Sequence, residues 1–301
     1  MRSRSPSRDG TTREFVLELG SGSLRKTAHI LKSMSRLVQG RSPTNYYALD
    51  LERRVLEQTL GEIQTSELGQ CLDGKVITKG LWGTFNDGIQ SIKDGTIVSA
   101  ESSDTVDDSR IQLHVMFLGL SLGNFPRDEA GAFLRSLPLR PGAGDTLLLS
   151  LDHTDDKDKI EVAYNDPQGY CRRFKMNALR HTGRVLGNEK LFPEGDWEYI
   201  NFYDTERRQH KSYYKARRSC TLSSSSMKSD FHFSENEMLK IEESVKYSED
   251  DTRKLFSEGN LKPIHRWTDP LGSYSVWLLH RPVPAIGGRR IDIRGETELL
   301  N

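Results

Sequence analysis

The chain has 301 residues, which is enough for one large domain or for one domain with a smaller companion. Lysine plus arginine and aspartate plus glutamate each number 43, so no bulk charge would attract nucleic acid or a membrane surface. The absence of an apolar run near the roughly 18 residues of a membrane span, together with three scattered cysteines that form no C-x-x-C, predicts a cytoplasmic protein without a zinc site.

The first residues are polar and the first strand follows directly. Residues 1–14 are rich in arginine and serine and lack the apolar side chains that a core needs, so we expect them to be disordered. An organellar presequence is disfavoured because the stretch has no amphipathic pattern and contains Asp9. Residues 15–22, FVLELGSG, then have the pattern of a buried parallel strand that enters a tight glycine turn.

A helix and a second strand are predicted next. The helix has apolar residues at helical spacing and a glycine at its end: Leu24, Ala28, Leu31, Met34, Val38 and Gly40. Residues 46–49 then form a strand that ends in Asp50, an acid placed to accept the two hydroxyls of a ribose. This layout is typical of a βαβ unit that binds an adenosine-containing cofactor. An ordinary crossover with a surface aspartate is the alternative interpretation.

The glycine turn discriminates among adenosine cofactors. Arg25 stands where a dinucleotide-binding turn has its third glycine, and no G-x-x-x-x-G-K-[ST] loop is present. An E-x-G-x-G strand end followed by a ribose acid is the pattern of class I S-adenosylmethionine methyltransferases. Gly20 and Gly22 would then face the methionine part of the cofactor, and Lys26 could reach its carboxylate or remain a solvated surface lysine.

Further elements complete an α/β fold with a doubly wound, mostly parallel sheet. A strand at 75–78 leads to 80–85, where Leu81 or Trp82 could pack against the adenine ring. Residues 99–110 are predicted to form a loop. They are followed by two more strands, with a helix between them: 114–119, 127–137 and 146–152.

Several motifs in order resemble the histidine-specific methyltransferase family. Its members include histidine Nα-methyltransferases of the ergothioneine pathway and fungal dimethylallyltryptophan N-methyltransferases. The resemblance extends from about residue 15 to 282, and it rests on these segments: 46–50, 81–88, 117–125, 163–166, 179–181, 195–197 and 242–247.

The resemblance implies a set of substrate-binding residues. In the family, the asparagine of G-N-F and the tyrosine of A-Y-[DN]-D hold the amino and carboxylate groups of the substrate. These residues correspond to Asn124 and Tyr164, with the backbone of Gly119 nearby. Asn124 could instead cap the following helix, and Tyr164 could be a core aromatic. No residue is assigned as a catalytic acid or base, and no metal is expected.

The E-x-S-x-K-[FY] motif favours histidine as the substrate. The resemblance implies that Glu242 and Ser244 hold the imidazole, because each ring nitrogen needs a polar partner. An apolar pocket for a prenylated indole would not need Glu242. A strand that carries alternate solvated acids is the other interpretation, since Glu243 stands beside Glu242.

Full-length family members carry some tens of residues before the glycine strand, including a tyrosine that contacts the substrate amine, and residues 1–14 contain no tyrosine. We therefore expect either an incomplete gene model or a degenerate or repurposed paralogue.

The expected organisation has four parts: a disordered start at 1–14, a cofactor domain at 15–155 and 248–282, a substrate lobe at 156–247 and a polar tail at 283–301. The predicted function is S-adenosylmethionine-dependent methylation of the α-amine of an amino acid, with histidine favoured. The expected partner is the small amino-acid substrate, and neither nucleic acid nor a membrane is expected as a partner. Methylation of dimethylallyltryptophan and an inactive paralogue with a binding role are the alternatives. Nothing in the sequence predicts the oligomeric state.

Overall fold

The computed structural model describes residues 12–23, 26–38, 42–99, 111–193 and 195–284. Its strands are β1 (Arg13–Leu19), β2 (Thr44–Asp50), β3 (Val76–Trp82), β4 (Ile111–Phe117), β5 (Thr146–Asp152), β6 (Trp197–Asp204), β7 (Gln209–Ala216), β8 (Cys220–Leu222), β9 (Phe231–Phe233), β10 (Met238–Val245), β11 (Lys262–Thr268) and β12 (Tyr274–His280). Its helices are α1 (Thr27–Leu37), α2 (Arg53–Thr65), α3 (Glu67–Leu72), α4 (Phe85–Lys93), α5 (Thr96–Ser99), α6 (Arg127–Ser136), α7 (Lys157–Tyr164), α8 (Tyr170–Val185) and α9 (Glu249–Glu258), and a 3₁₀ turn spans Ser121–Asn124.

The main sheet has seven strands in the order β11-β12-β5-β4-β1-β2-β3. Strands β1 to β5 run parallel, whereas β12 is antiparallel to both of its neighbours, β5 and β11. The chain order reverses between β1 and β4, and ligands of such sheets bind at this switch point, outside the carboxyl ends of the strands. The arrangement confirms the predicted α/β fold with a doubly wound, mostly parallel sheet.

Both faces of the sheet are covered, which explains the nearly continuous apolar runs in its strands. Side chains of β1 alternate between the two faces, so that Leu17 belongs to one core cluster and Val16 to the other. Helices α1, α2 and α3 cover the face of Val16, while α4, α6 and α9 pack against the face of Leu17. The central strands are therefore held rigidly, with their carboxyl ends at one edge.

A second, smaller layer lies between β5 and α9 in the chain. It consists of the antiparallel sheet β10-β7-β6, the hairpin β8-β9 and the helices α7 and α8. Its own core is centred on the buried Trp197, with Tyr199 and Tyr214 beside it. The elements fall within the range predicted for the substrate lobe, whose boundaries at 156 and 247 remain a prediction.

Some sequence boundaries differ from the structure or fall outside it. Strand β1 begins at Arg13, inside the stretch predicted to be disordered, because Arg13 and Glu14 pair with β4 through backbone groups that need no apolar side chain. Strand β3 runs to Trp82 rather than ending at Thr78. Leu24, Arg25, Gly40, most of the predicted 99–110 loop and the tail from 285 onward lie outside the described residues. In the described ranges, no helix combines the length and apolar character of a membrane span.

Candidate functional site

The glycine turn after β1 folds over the end of β2. Gly20 and Gly22 have φ values of +73° and +54°, which glycine adopts at little cost. The amides of Gly20 and Ser21 both donate to the carbonyl of Leu49, at 2.9 and 3.1 Å. The amide of Gly22 donates to Oδ2 of Asp50 at 2.9 Å. The turn and the acid at the end of the second strand therefore form one unit.

Asp50 has two backbone donors in and next to this unit. Among the described residues, a Cβ added to Gly22 would meet no atom within 4 Å. Besides Gly22, Asp50 accepts a hydrogen bond from the amide of Glu52, at 3.0 Å to Oδ1. A carboxylate offers about four lone-pair positions, so Asp50 retains acceptor capacity for the hydroxyls of a ligand.

Glu18, near the end of β1, forms hydrogen bonds with α1 and β2, the two elements that follow the turn. Its buried carboxylate accepts hydrogen bonds from the Tyr46 hydroxyl and from Thr27 Oγ1, the latter at 2.7 and 2.9 Å to its two oxygens. Burial raises the pKa of Glu18 to about 6, although the two hydrogen bonds act in the opposite direction. These contacts join β1, β2 and α1. Lys26, the residue before Thr27, is exposed at the N-cap of α1.

Leu81 and Trp82 are the last two residues of β3 and lie in different environments. Leu81 packs against the main core, whereas Trp82 is 65% exposed and stands in register with Asp50. The Trp82 indole N–H donates to the carbonyl of Leu51 at 3.0 Å, and the Arg53 guanidinium lies 5.6 Å from the ring centroid. An exposed, anchored indole beside Asp50 offers a flat apolar surface to a ligand.

The loop after β4 has a strained start. Gly119 and Leu120 have φ values of +76° and +66°, and the second is unusual for a leucine. The amide of Leu120 donates to the buried Ser150 Oγ at 3.1 Å, which ties this loop to β5. Such strain is typical of functional positions and persists only where its surroundings hold it.

The 3₁₀ turn that follows packs against β10. A Cβ on Gly123 would lie 2.9 Å from the carbonyl oxygen of Val245 and 3.5 Å from Ser244 Oγ. Asn124 comes next and is exposed. The N-cap of α6 is Pro126, without a capping side chain, so Asn124 does not cap this helix. Asn124 is therefore an exposed residue at the end of a turn that contacts Ser244 and Val245.

Lys246, the residue directly after β10, connects the smaller layer to the end of β5. Its ammonium lies 2.6 Å from Asp152 Oδ2, 3.2 Å from Ser244 Oγ and 3.3 Å from the Tyr164 hydroxyl. Lys246 is only 4% exposed, and Asp152 is largely buried as well. A buried ammonium needs such partners, because burial without compensation would be costly.

His210 packs against Tyr164 in this cluster. The two rings are stacked, with centroids 3.7 Å apart and planes inclined by 16°. His210 is fully buried, and burial, with Lys246 and Lys175 nearby, lowers its pKa to about 4. Its Nε2 lies 3.3 Å from Asn201 Oδ1, whereas Nδ1 has no partner among the described residues. The neutral ring therefore contributes shape rather than charge at neutral pH.

Glu242 lies on the same face of β10 as Ser244, because side chains two apart in a strand share a face. Its Oε2 forms an ion pair with Lys175 of α8, at 2.6 Å. The backbone carbonyl of Lys175 accepts a hydrogen bond from the Tyr214 hydroxyl, and the Tyr199 hydroxyl donates to the carbonyl of Tyr164 at 3.0 Å. These contacts attach the polar face of the β10-β7-β6 sheet to α7 and α8.

Ten of the eleven residues predicted from the sequence fall into two groups along one edge of the main sheet. The eleventh, Lys26, lies at the N-cap of α1. The first group lies at the ends of β1, β2 and β3: Gly20, Gly22, Asp50, Leu81 and Trp82. The second lies after β4 and on the facing lobe: Gly119, Asn124, Tyr164, Glu242 and Ser244. Adjacent strands are about 4.8 Å apart, so the ends of β2 and β5 are separated by about 14 Å.

Sequence reasoning did not assign roles to four residues that surround the second group: Asp152, Lys175, His210 and Lys246. A clue existed for two of them. Lys246 is the lysine of the E-x-S-x-K-[FY] motif, and Asp152 ends a predicted strand at the ligand-binding edge. Lys175 and His210 occur in stretches without a motif.

Comparisons with known proteins found chains that are similar to this one. The chain is 35% identical to the L-tryptophan methyltransferase trpM of Psilocybe serbica, over 88% of this chain and 72% of that protein. It is 31% identical to the ergothioneine biosynthesis protein 1 of Schizosaccharomyces pombe, over 90% of this chain but only 32% of that protein. A methyltransferase structure from Clostridium acetobutylicum matches with a TM-score of 0.41 and 11% identity, over 91% of this chain and 86% of that one.

The family comparison covers nearly the whole described region. The model of the SAM-dependent, histidine-specific methyltransferases matches residues 6–281. The cofactor of this family is S-adenosylmethionine. The chain therefore belongs to the histidine-specific, S-adenosylmethionine-dependent methyltransferase family.

Proposed function

We propose that the protein methylates the α-amine of an amino acid and that histidine is its preferred acceptor. The observation that carries this proposal is the cluster of Tyr164, Ser244 and Glu242 beside the ends of β4 and β5. These groups supply polar contacts for both ends of a polar amino acid. They lie at the same sheet edge as the glycine turn, which matches a reaction between two bound molecules.

The cofactor end would be held by the first group of residues. Asp50 would accept the ribose hydroxyls, the turn at Gly20 and Gly22 would face the methionine part, and Trp82 or Leu81 would pack against the adenine. The exposed Lys26 would reach the cofactor carboxylate. When bound, S-adenosylmethionine supplies a methyl group that its sulfonium already activates.

The substrate end would hold the amino acid in one orientation. Asn124 offers both a donor and an acceptor, and the Tyr164 hydroxyl can donate to a carboxylate. The backbone at Gly119 would lie next to the substrate amine. Because the methyl group is already activated, most of the rate gain expected from these residues is orientation.

Glu242 and Ser244 would hold the imidazole ring. Oε2 of Glu242 is paired with Lys175, so Oε1 is the oxygen that would accept a ring N–H. Ser244 would contact the second ring nitrogen. Lys175 also balances the charge of Glu242, which favours a neutral imidazole over an imidazolium in this pocket.

An indole acceptor is the second candidate, and one observation favours it. With Lys175 occupying Oε2, Glu242 keeps a single free oxygen, which is sufficient for the one N–H of an indole. The relative from Psilocybe serbica is named as an L-tryptophan methyltransferase. Tryptophan and dimethylallyltryptophan therefore belong in every substrate test.

The test uses labelled S-adenosylmethionine with histidine, tryptophan or dimethylallyltryptophan, and Nα-acetylhistidine as the matched control. We expect label on histidine and none on the acetylated compound, whose α-amine is blocked. Label on acetylhistidine would place the methyl on the ring and contradict an α-amine reaction. Label on indole substrates alone would replace histidine by the second candidate. If calorimetry detected no cofactor binding, this chain would not be an enzyme.

A further inference from the structure

The hydrogen-bonding capacity of Lys246 is fully used by its three partners. An ammonium has three hydrogens and no lone pair, so it donates and cannot accept. Its partners are Asp152 Oδ2, Ser244 Oγ and the Tyr164 hydroxyl, at 2.6, 3.2 and 3.3 Å. Lys246 is therefore the donor in all three of these hydrogen bonds.

The direction of these hydrogen bonds limits how the hydroxyls of Ser244 and Tyr164 can bind a ligand. Ser244 and Tyr164 both accept a hydrogen bond from Lys246, so each hydroxyl hydrogen must point elsewhere. Within the described part of the chain, neither hydrogen meets an acceptor. Each hydroxyl keeps its hydrogen and a second acceptor position, but its hydrogen is directed away from Lys246, whereas a hydroxyl without such a neighbour could rotate freely.

Glu242 is an acceptor of hydrogen bonds rather than a donor. Its carboxylate only accepts, and Lys175 already occupies Oε2. Since Glu242 and Ser244 share one face of β10, the pocket wall presents one acceptor and one donor side by side. A neutral imidazole has a matching N–H and a matching lone-pair nitrogen. An indole has the N–H but no second nitrogen.

We infer that Lys246 is a positioning residue that selects imidazole over indole by directing the Ser244 hydroxyl hydrogen away from the ammonium and toward the ligand. The inference rests on the proposed function and deepens it. With an indole bound, the Ser244 hydrogen would be buried without an acceptor, which reduces affinity by about 5- to 150-fold. Tyr164 would face the carboxylate of either amino acid, so its contribution is common to both.

The decisive quantity is the ratio of the dissociation constants for tryptophan and histidine, measured by calorimetry with S-adenosylhomocysteine present. Lys246→Met keeps the apolar stem of the side chain but removes its donors. We expect the ratio to fall by about tenfold, because Ser244 could then rotate. Tyr164→Phe should weaken both ligands and leave the ratio unchanged. Lys240→Met breaks an exposed ion pair with Glu243 in the same strand and should change neither constant.

Two further variants keep the test decisive. Asp152→Asn/Lys246→Met removes both charges, so it avoids a lone buried carboxylate if the single variant does not fold. In Ser244→Ala the ion pair is intact, and adding Lys246→Met to it should not lower the ratio further. An unchanged ratio in Lys246→Met and in the charge-neutral double variant would overturn the role of Lys246 alone. If the unaltered protein bound neither amino acid, the proposed function would fail with it.

Discussion

The amide of Gly22 lies 2.9 Å from the carboxylate of Asp50, so the glycine turn after β1 is tied directly to the end of β2. The amide of Glu52 holds the other oxygen of Asp50 at 3.0 Å. The carboxylate is therefore oriented before any ligand arrives. Such preorganisation reduces the entropy that binding must overcome.

Replacing Asp50 should weaken cofactor binding strongly. Asp50→Ala removes the acceptor of the ribose hydroxyls and also releases Gly22. Hydrogen bonds to a charged group contribute about 1.5–3 kcal/mol, so we expect S-adenosylmethionine to bind about 10- to 150-fold more weakly by calorimetry. Asp73→Ala, an exposed acid before the amino end of β3, is the control and should bind normally. Equal affinities for the two variants would exclude Asp50 from the cofactor site.

A methyl group on the glycine turn should separate binding from stability. Gly22 and Gly74 have φ values of +54° and +65°, and a Cβ on either would meet nothing within 4 Å. Alanine at either position should therefore cost about 1–2 kcal/mol of unfolding free energy, because both backbones are left-handed. Only Gly22→Ala should also weaken S-adenosylmethionine, since its Cβ enters the ligand space. Normal cofactor affinity in Gly22→Ala would show that the ligand does not approach the turn.

The contact between the glycine turn and Asp50, which we propose to bind the cofactor, was predictable because its information is local in the sequence. Gly20, Gly22 and Asp50 belong to a strand, turn, helix and strand pattern whose spacing is fixed by one βαβ unit. Strand β1 still begins earlier than its apolar residues suggest. Arg13 pairs with β4 through its backbone, and this pairing leaves no trace in side-chain hydropathy.

The substrate end was predictable only in part. Asn124, Tyr164, Glu242 and Ser244 came from a resemblance, and the structure brings the last three near one another. Their supporting charges were not assigned, since Lys246 meets Asp152 across 94 residues of chain and Lys175 meets Glu242 across 67. The first pair depends on packing between the smaller layer and the main sheet, and the second depends on packing within the smaller layer. Hydropathy periodicity encodes neither.

Crowding at Gly123 should link the 3₁₀ turn to substrate binding. A Cβ there would lie 2.9 Å from the backbone carbonyl of Val245, so Gly123→Ala must displace the turn or β10. We expect the KM for the amino acid to rise about tenfold or more, while cofactor affinity is unchanged. In Gly183→Ala the new Cβ would lie 2.6 Å from the carbonyl of Asn188, near the end of α8. This control should lose stability but keep its KM, and a raised KM in both variants would contradict the link.

The last prediction concerns the pH dependence of stability, which Glu18 should influence. Its pKa is raised from 4.5 to about 6 by burial, so the folded state binds the proton more tightly than the unfolded state. The resulting stabilisation is complete below pH 4.5 and is lost as the pH rises through 6.

Glu18→Gln cannot titrate, so comparing it with the unaltered protein isolates this effect. From pH 4.5 to 7.5, the unfolding free energy of the unaltered protein should fall by about 2 kcal/mol relative to that of the variant, measured by urea denaturation. Tyr46→Phe removes a hydrogen bond that lowers the pKa of Glu18 and should move the transition to higher pH. If the unfolding free energy of the unaltered protein minus that of Glu18→Gln did not change with pH, the raised pKa would be contradicted. If this difference became more positive as the pH rose, the pKa would be lowered instead of raised.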